Sequence, residues 1–170
     1  MRTEKIMNNQ STQPCTNLIA ETADSLQKIA NNALKYLSRR DYSCLELYQK
    51  LIAKGFDIED IQSVLENLQK RGYQSDERFT EMFIRSRMAS GDGPFKIKIA
   101  LRGKGICDSL ALTVMDKLNV DWFEQAKKIK TKRFGDQVVT EPKELAKQIR
   151  YLKGKGFYQD HINAVIEYTH

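Results

Sequence analysis

The stretch LIAKGFDIEDIQSVL, residues 51–65, carries the pattern that decides the fold. It recurs as LRGKGICDSLALTVM at 101–115 and as LKGKGFYQDHINAVI at 152–166. The glycine of the shared Lys-Gly-apolar triplet is Gly55, Gly105 or Gly156, so the triplets stand 50 and then 51 residues apart. Apolar residues follow each glycine at offsets of six, nine and ten, and a leucine precedes it by four, which places all of them on inner helix faces. The chain therefore contains an internal repeat.

Each triplet predicts the end of one helix and the start of another. Lysine is favourable at the negative end of the helix dipole, and glycine supplies the left-handed residue just beyond the last turn. Start signals agree with this pattern, because Ser43 with Glu46 forms a capping box and Asp57 and Asp121 are N-cap candidates. No segment shows the alternation of a β-strand. An all-α fold is expected.

The repeat predicts nine helices in three groups of three, led by helices near 23–40, 76–90 and 121–134. Each group resembles a helix-turn-helix module and buries little surface alone, so the modules should pack end to end in an elongated, curved tandem array. The expected boundaries are a flexible N-terminal extension at 1–22 and modules 1 to 3 at 23–75, 76–120 and 121–170. A single compact core of nine helices is the alternative.

Composition narrows the protein class. The chain of 170 residues has a formal net charge of +6, which favours an acidic partner such as nucleic acid. Its three cysteines, Cys15, Cys44 and Cys107, form no CxxC pair, so neither a disulfide framework nor a thiolate zinc site is indicated. No apolar stretch is long enough to span a membrane and no signal peptide is recognisable. A cytoplasmic protein with no membrane contact is expected.

The segment GDGP, residues 91–94, raises the question of a phosphate-binding loop. A Walker-type loop needs GxxxxGK followed by Ser or Thr after a strand, and this order is absent here. Pro94 fits the first turn of a helix, where its missing N–H costs nothing. Gly91 and Gly93 are therefore interpreted as a corner between two helices.

Charge is distributed unevenly along the chain. Residues 41–81 hold nine acids and five bases, whereas 85–104 hold six bases and one acid, and 121–155 hold ten bases and five acids. Solvated helix faces explain part of this surplus, and a basic surface facing an anion is the sharper interpretation. The candidate partner or DNA contacts are Arg85, Arg87, Lys96, Lys98, Arg102, Lys104, Lys127, Lys128, Lys130, Lys132, Arg133, Lys147 and Arg150.

Catalytic, cofactor and metal sites are not indicated. His161 and His170 have no Cys-His or Ser-His-Asp partners in view, and metal-ligand spacing is absent. A protein without enzymatic activity is expected. The aromatic residues near helix starts are interpreted as core residues, with stacking on nucleic-acid bases as the alternative. They are Tyr73, Phe79, Phe83, Phe95 and Trp122.

The chain resembles the RecX family of bacterial recombination regulators. The resemblance rests on RRDYSCLEL, LIAKGF, IQSVLENL, RGYQSDERF, RSR and GDGPFKIKIALRGKGI, in register from about residue 33 to 106. The third repeat matches more loosely, through YLKGKGFYQDHINAVI. The corresponding residues are Ser43, Glu46, Leu47, Gly72, Tyr73, Asp76, Phe79, Arg87, Gly93, Pro94, Ile97, Leu101, Gly105 and Ile106. Lys96 stands where the family usually has Arg, and Ser75 replaces a commoner Asn.

The resemblance implies a regulator of recombination, DNA repair and the SOS response. Family members bind the RecA filament on single-stranded DNA, lie along its groove bridging protomers, and inhibit ATP hydrolysis and strand exchange. A non-specific single-strand contact and a monomeric free state are also expected. The alternative is a nucleic-acid-binding protein of tandem helix-turn-helix-like modules. Its binding would be non-specific, because no helix shows the Arg, Asn and Gln set that reads base edges.

Overall fold

The computed structural model describes residues 13–166, and their side chains from residue 23 onward. Over this range the regular structure is helical, apart from an isolated β-bridge residue at Val139. The helices are α1 (Gln13–Leu37), α2 (Cys44–Ile52), α3 (Ile58–Lys70), α4 (Asp76–Ala89), α5 (Pro94–Arg102), α6 (Asp108–Lys117), α7 (Trp122–Phe134), α8 (Pro142–Lys155) and α9 (Gln159–Val165). None of the helices described combines the length and apolarity needed to cross a bilayer.

The helices pack in threes, which confirms the predicted all-α tandem array. The extensive helix–helix contacts lie within α1–α3, within α4–α6 and within α7–α9. Buried apolar residues divide in the same way, into clusters around Leu47, Ile97 and Leu152. The alternative of one shared core is therefore wrong. Module 1 here means α1–α3, module 2 means α4–α6 and module 3 means α7–α9.

The predicted helix ends are confirmed at the repeated glycines. Gly55, Gly105 and Gly156 have φ of 83°, 79° and 88°, in the left-handed region that favours glycine. At the second and third of these turns, the amides of Ile106 and Phe157 donate back to the carbonyls of Leu101 and Leu152, which satisfies carbonyls left open at the helix ends.

The predicted N-caps are confirmed as well. The Ser43 hydroxyl accepts a hydrogen bond from the Glu46 amide at 3.1 Å, and the carboxylates of Asp57 and Asp121 cap α3 and α7 at 2.9 Å. The glycine-rich corner also has its predicted form, because Gly93 is the N-cap of α5 and Pro94 is its first residue.

The first helix begins earlier than predicted. It starts at Gln13, whereas its predicted start was near residue 23. A helix anchored by its packed C-terminal half extends toward the N-terminus at little cost, because each added residue gains one backbone hydrogen bond. Residues 1–12 of the expected extension, and His170, lie outside the described residues.

The same kind of contact joins module 1 to module 2 and module 2 to module 3. The turn at Gly105 in module 2 rests on Leu45 in the first turn of α2, where a Cβ on the glycine would lie 2.8 Å from the leucine Cβ. The turn at Gly156 in module 3 rests in the same way on Lys96 in the first turn of α5, with the corresponding distance 2.5 Å. Glycine is required at both positions by close approach as well as by backbone conformation.

Backbone hydrogen bonds close the second junction. The Gly93 amide donates to the Lys155 carbonyl at 2.7 Å, and the Phe95 amide donates to the Gly156 carbonyl at 3.1 Å. At the first junction a side chain makes the connecting hydrogen bond instead, because the Asp76 carboxylate accepts a hydrogen bond from the Cys44 amide at 2.8 Å. No hydrogen bond or ion pair of the described residues joins module 1 to module 3, so the modules form a linear array.

Candidate binding surface

The basic residues of module 2 are paired with carboxylates of the same chain. Asp92 is only 5% exposed, and its two oxygens bind Arg87 at 2.7 Å and Lys96 at 2.8 Å. Two cations are thus held around one buried carboxylate, which needs them to offset its lost hydration. Arg87 and Lys96 therefore maintain the corner between α4 and α5.

The cations at the end of α5 are also neutralised within the molecule. The Arg102 guanidinium donates to both carboxylate oxygens of Asp108, and Lys98 lies 4.0 Å from the same group. The hydrogen bond from Arg102 holds the pKa of Asp108 below its usual value. Likewise, Arg85 on α4 pairs with Glu81 at 3.0 Å.

Lys104 reaches across the first junction. Its ammonium lies 2.8 Å from Glu46 of module 1, and Arg40 approaches the same carboxylate at 3.5 Å. Burial acts to raise the pKa of Glu46, but the hydrogen bond and charge of Lys104, with Arg40, hold that pKa below its usual value. The four closely spaced cations Lys96, Lys98, Arg102 and Lys104 thus find their anions inside the molecule, so their crowding does not by itself require an external anion.

Among the predicted contacts, those on α7 of module 3 carry positive charge that is not paired with a carboxylate. Lys127, Lys128, Lys132 and Arg133 are exposed on α7, and no carboxylate of the described residues lies within 4 Å of their charged groups. The first three line one shallow groove along the helix together with Thr131 and the carboxylates of Glu124 and Asp136. The lysines outnumber the acids there, so this groove can receive phosphates.

The other predicted contacts of module 3 differ among themselves. Lys130 is only 6% exposed, so its prediction as a surface contact is wrong. The reason is helical geometry, since Lys130 follows the buried Ala126 by four residues and shares its inward face. On α8, Lys147 pairs with Glu144 at 3.1 Å, whereas Arg150 is exposed and is not within 4 Å of a described carboxylate.

A row of aromatic rings crosses the second junction, and the sequence pattern did not predict it. Phe95 of α5 contacts Tyr158 with ring centroids 6.1 Å apart, Tyr158 contacts His161 at 5.6 Å, and His161 contacts Phe123 of α7 at 4.8 Å. Burial lowers the pKa of His161. One signal was present in the sequence, because Tyr158 occupies the N-cap position that Asp57 occupies in module 1.

The aromatic residues near helix starts do not share one role. Phe79 is fully buried, and Phe83 and Trp122 pack against the core of module 2, as the core interpretation expects. Phe95 and Tyr73, by contrast, are about half exposed. For these two residues the core interpretation is wrong.

The residues that carry the family resemblance have architectural positions. Leu47, Phe79, Ile97 and Leu101 are fully buried in the cores of modules 1 and 2. Asp76, Gly93 and Gly105 make the contacts between modules described above. The shared motifs therefore specify how the array is built, and they leave most of its outer surface undetermined.

Models of the three RecX three-helix domains match this chain in order. The first matches residues 31–68, the second 75–115 and the third 119–166. A "Regulatory protein RecX" from Halorhodospira halophila is 34% identical over 146 residues, covering 86% of this chain and 91% of the relative. One from Legionella pneumophila is 39% identical over 142 residues, covering 84% and 95%.

Solved structures show the same fold. The crystal structure of RecX from Lactobacillus salivarius has a TM-score of 0.73 at 26% identity and covers 84% of this chain and 95% of its own. A second crystal structure, of a regulatory protein RecX, has a TM-score of 0.78 at 23% identity and covers 94% of this chain and 80% of its own.

Proposed function

Because the chain belongs to the RecX family of regulatory proteins, we propose that it binds the RecA filament on single-stranded DNA and inhibits ATP hydrolysis and strand exchange. It acts by binding and carries out no chemistry itself. The free thiols of Cys44 and Cys107 fit a cytoplasmic site of action, where RecA works.

The repeated junction is the observation that supports this proposal. Two contacts of the same kind, Gly105 on Leu45 and Gly156 on Lys96, join three modules with separate cores into one linear body. A linear body can follow a filament groove and contact several protomers at once. Each added contact then benefits from high effective concentration, so weak individual contacts sum to firm binding.

The test is the ATPase of RecA on single-stranded DNA. We expect inhibition at amounts of this protein well below one molecule per RecA protomer, because one bound molecule bridges and blocks several. Adding more RecA-free DNA should relieve the inhibition only weakly. Inhibition that appears only when the protein saturates the DNA, and that disappears in proportion to added DNA, would overturn the proposal.

A second candidate function is non-specific binding of single-stranded nucleic acid without RecA. The open cations of α7, Lys127, Lys128, Lys132 and Arg133, favour it. The same titration separates the two candidates, since a DNA competitor acts in proportion to the DNA it covers.

A further inference from the structure

The aromatic row across the second junction leaves three rings about half exposed. Phe95, Phe123 and Tyr158 are 52%, 49% and 41% exposed, whereas Phe79 of module 2 is fully buried. In an edge-to-face pair one ring presents its edge, so that ring keeps both of its faces open. The pairs Phe95–Tyr158 and Phe123–His161 have interplanar angles of 68° and 84°, which is this geometry.

Tyr158 occupies the N-cap position of α9. Its side chain makes no capping hydrogen bond, as is also true of Cys107 at the same place in module 2, whereas Asp57 of module 1 caps α3 through its carboxylate. The Tyr158 ring therefore contributes to the row rather than to the helix end.

Positive charge flanks the row at both ends. Lys127 lies one turn after Phe123 on α7 and therefore on the same side of the helix, and it has no carboxylate of the described residues within 4 Å. At the other end, Arg102 follows Phe95 by seven residues on α5 and is 60% exposed, although it also binds Asp108. Acids also lie near the row, since Asp160 is exposed beside His161 and Glu124 is exposed directly after Phe123.

Exposed rings flanked by cations match single-stranded nucleic acid. Its bases offer flat π-faces that stack on aromatic rings whatever the sequence, and its backbone supplies the anions. An apolar protein surface would use the rings but would gain nothing from the open lysines. The chemistry of the row therefore favours a strand of nucleic acid over a protein helix.

We propose that Phe95, Tyr158 and Phe123 form a stacking platform for the bases of single-stranded nucleic acid, with phosphates held by Lys127 and Lys128. The proposal rests on the proposed function in one respect, since it says where the DNA of the filament contacts this chain. It assigns the second junction and α7 to the nucleic acid, and it leaves module 1 to the protein.

The experiment measures binding of a labelled oligothymidine to the full chain without RecA, by fluorescence anisotropy. Tyr158→Leu keeps an apolar side chain but removes the ring, and we expect it to weaken binding about tenfold. Tyr158→Phe keeps the ring and should bind as the parent does. Leu112→Ala is the control, because Leu112 is 46% exposed on α6 and is not part of the row.

Two further measurements separate stacking from other kinds of contact. An abasic oligonucleotide of the same length keeps the phosphates and lacks the bases, so the parent should prefer oligothymidine and Tyr158→Leu should lose that preference. Asp160→Asn removes a negative charge beside the row without touching a ring, and it should tighten binding of oligothymidine.

The outcomes separate this proposal from the proposed function. Equal binding of the abasic strand and oligothymidine by the parent would overturn the stacking platform, as would Tyr158→Leu binding as tightly as the parent. Tyr158→Leu that keeps DNA binding but fails to inhibit the RecA ATPase would assign the row to a protein contact instead. If the parent binds oligothymidine through the row but does not inhibit RecA, the proposed function fails and the platform stands.

Discussion

Replacing each repeated glycine by alanine should distinguish two requirements for glycine. One is the positive φ of the turn, and the other is the close approach to the neighbouring module. Gly55, Gly105 and Gly156 share a positive φ, but their surroundings differ. No described atom lies within 4 Å of a Cβ added at Gly55. The same Cβ at Gly105 would lie 2.8 Å from the Leu45 Cβ, and at Gly156 it would lie 2.6 Å from the Lys96 backbone nitrogen.

The expected magnitudes follow from these distances. Alanine at positive φ costs about 1 kcal/mol, so Gly55→Ala should lower the free energy of unfolding by that amount. At Gly105 the new carbon lies about 1 Å inside the optimal carbon–carbon separation of about 3.5–4.0 Å. The Leu45 Cβ cannot rotate away, so the junction must open, and overpacking of this kind adds about 1–3 kcal/mol. Gly105→Ala should therefore cost about 2–4 kcal/mol in total.

Urea unfolding followed by far-ultraviolet circular dichroism measures these costs. With a slope of about 1–3 kcal/mol per molar urea, a difference of about 2 kcal/mol separates the midpoints of Gly55→Ala and Gly105→Ala by about 1 M. For Gly156→Ala, Trp122 gives a local signal, because this single tryptophan packs against the cores of both modules 2 and 3. Its fluorescence midpoint should fall further than the circular dichroism midpoint.

The control and the decisive comparison are the same pair of variants. If Gly105→Ala and Gly55→Ala have midpoints that coincide, the contact of Gly105 with Leu45 does not hold the modules together, and the junction argument is refuted. A loss of RecA inhibition in a Gly55→Ala protein that remains folded would likewise show that this turn touches a partner.

Three further predictions concern acid, charge and shape. The folded-state pKa of Glu46 lies below its usual value of 4.5, so the stability it contributes is complete at neutral pH and is lost as the pH falls below that value. The stability gap between the parent and Glu46→Gln should therefore close in acid, and a gap independent of pH would contradict the pairing with Lys104. Lys96→Gln should cost about 1–2 kcal/mol in urea unfolding, because it leaves the buried Asp92 with Arg87 alone. By contrast, Lys127→Gln should leave stability unchanged and lower the salt slope of single-strand binding by about 0.7. A loss of stability in Lys127→Gln together with a lower salt slope in Lys96→Gln would contradict these two assignments. Small-angle scattering should give a radius of gyration above about 20 Å once residues 1–12 are removed, whereas about 15 Å would indicate a compact globule.

Much of the fold could be predicted because its signals are local. A capping serine and its partner amide are three residues apart, and a left-handed glycine closes a turn on the preceding five residues. The inner face of each helix repeats at fixed offsets, so the burial of Leu47, Ile61 and Leu101 follows from position along the chain. The start of α1 was missed because helix propagation beyond a packed segment leaves no stop signal.

The candidate surface was predicted less well because its chemistry depends on distant partners. The sequence shows that Lys104 and Lys127 are both basic, but only one of them meets a carboxylate, and that carboxylate, Glu46, lies 58 residues away. Similarly, Phe95 and Tyr158 belong to different modules, and nothing in the spacing of either repeat predicts that their rings meet.

By itself the sequence determined the three modules, their helices and turns, and the family to which the chain belongs, since all of these depend on residue types at short, fixed separations. Only the tertiary structure decided which cations remain open and where aromatic rings gather on the outside. The Lys104–Glu46 pair and the Phe95–Tyr158 contact depend on the angle at which one module stacks on the next. That angle is set by the close approach of Gly105 to Leu45 and of Gly156 to Lys96, which a periodic pattern within each module does not specify.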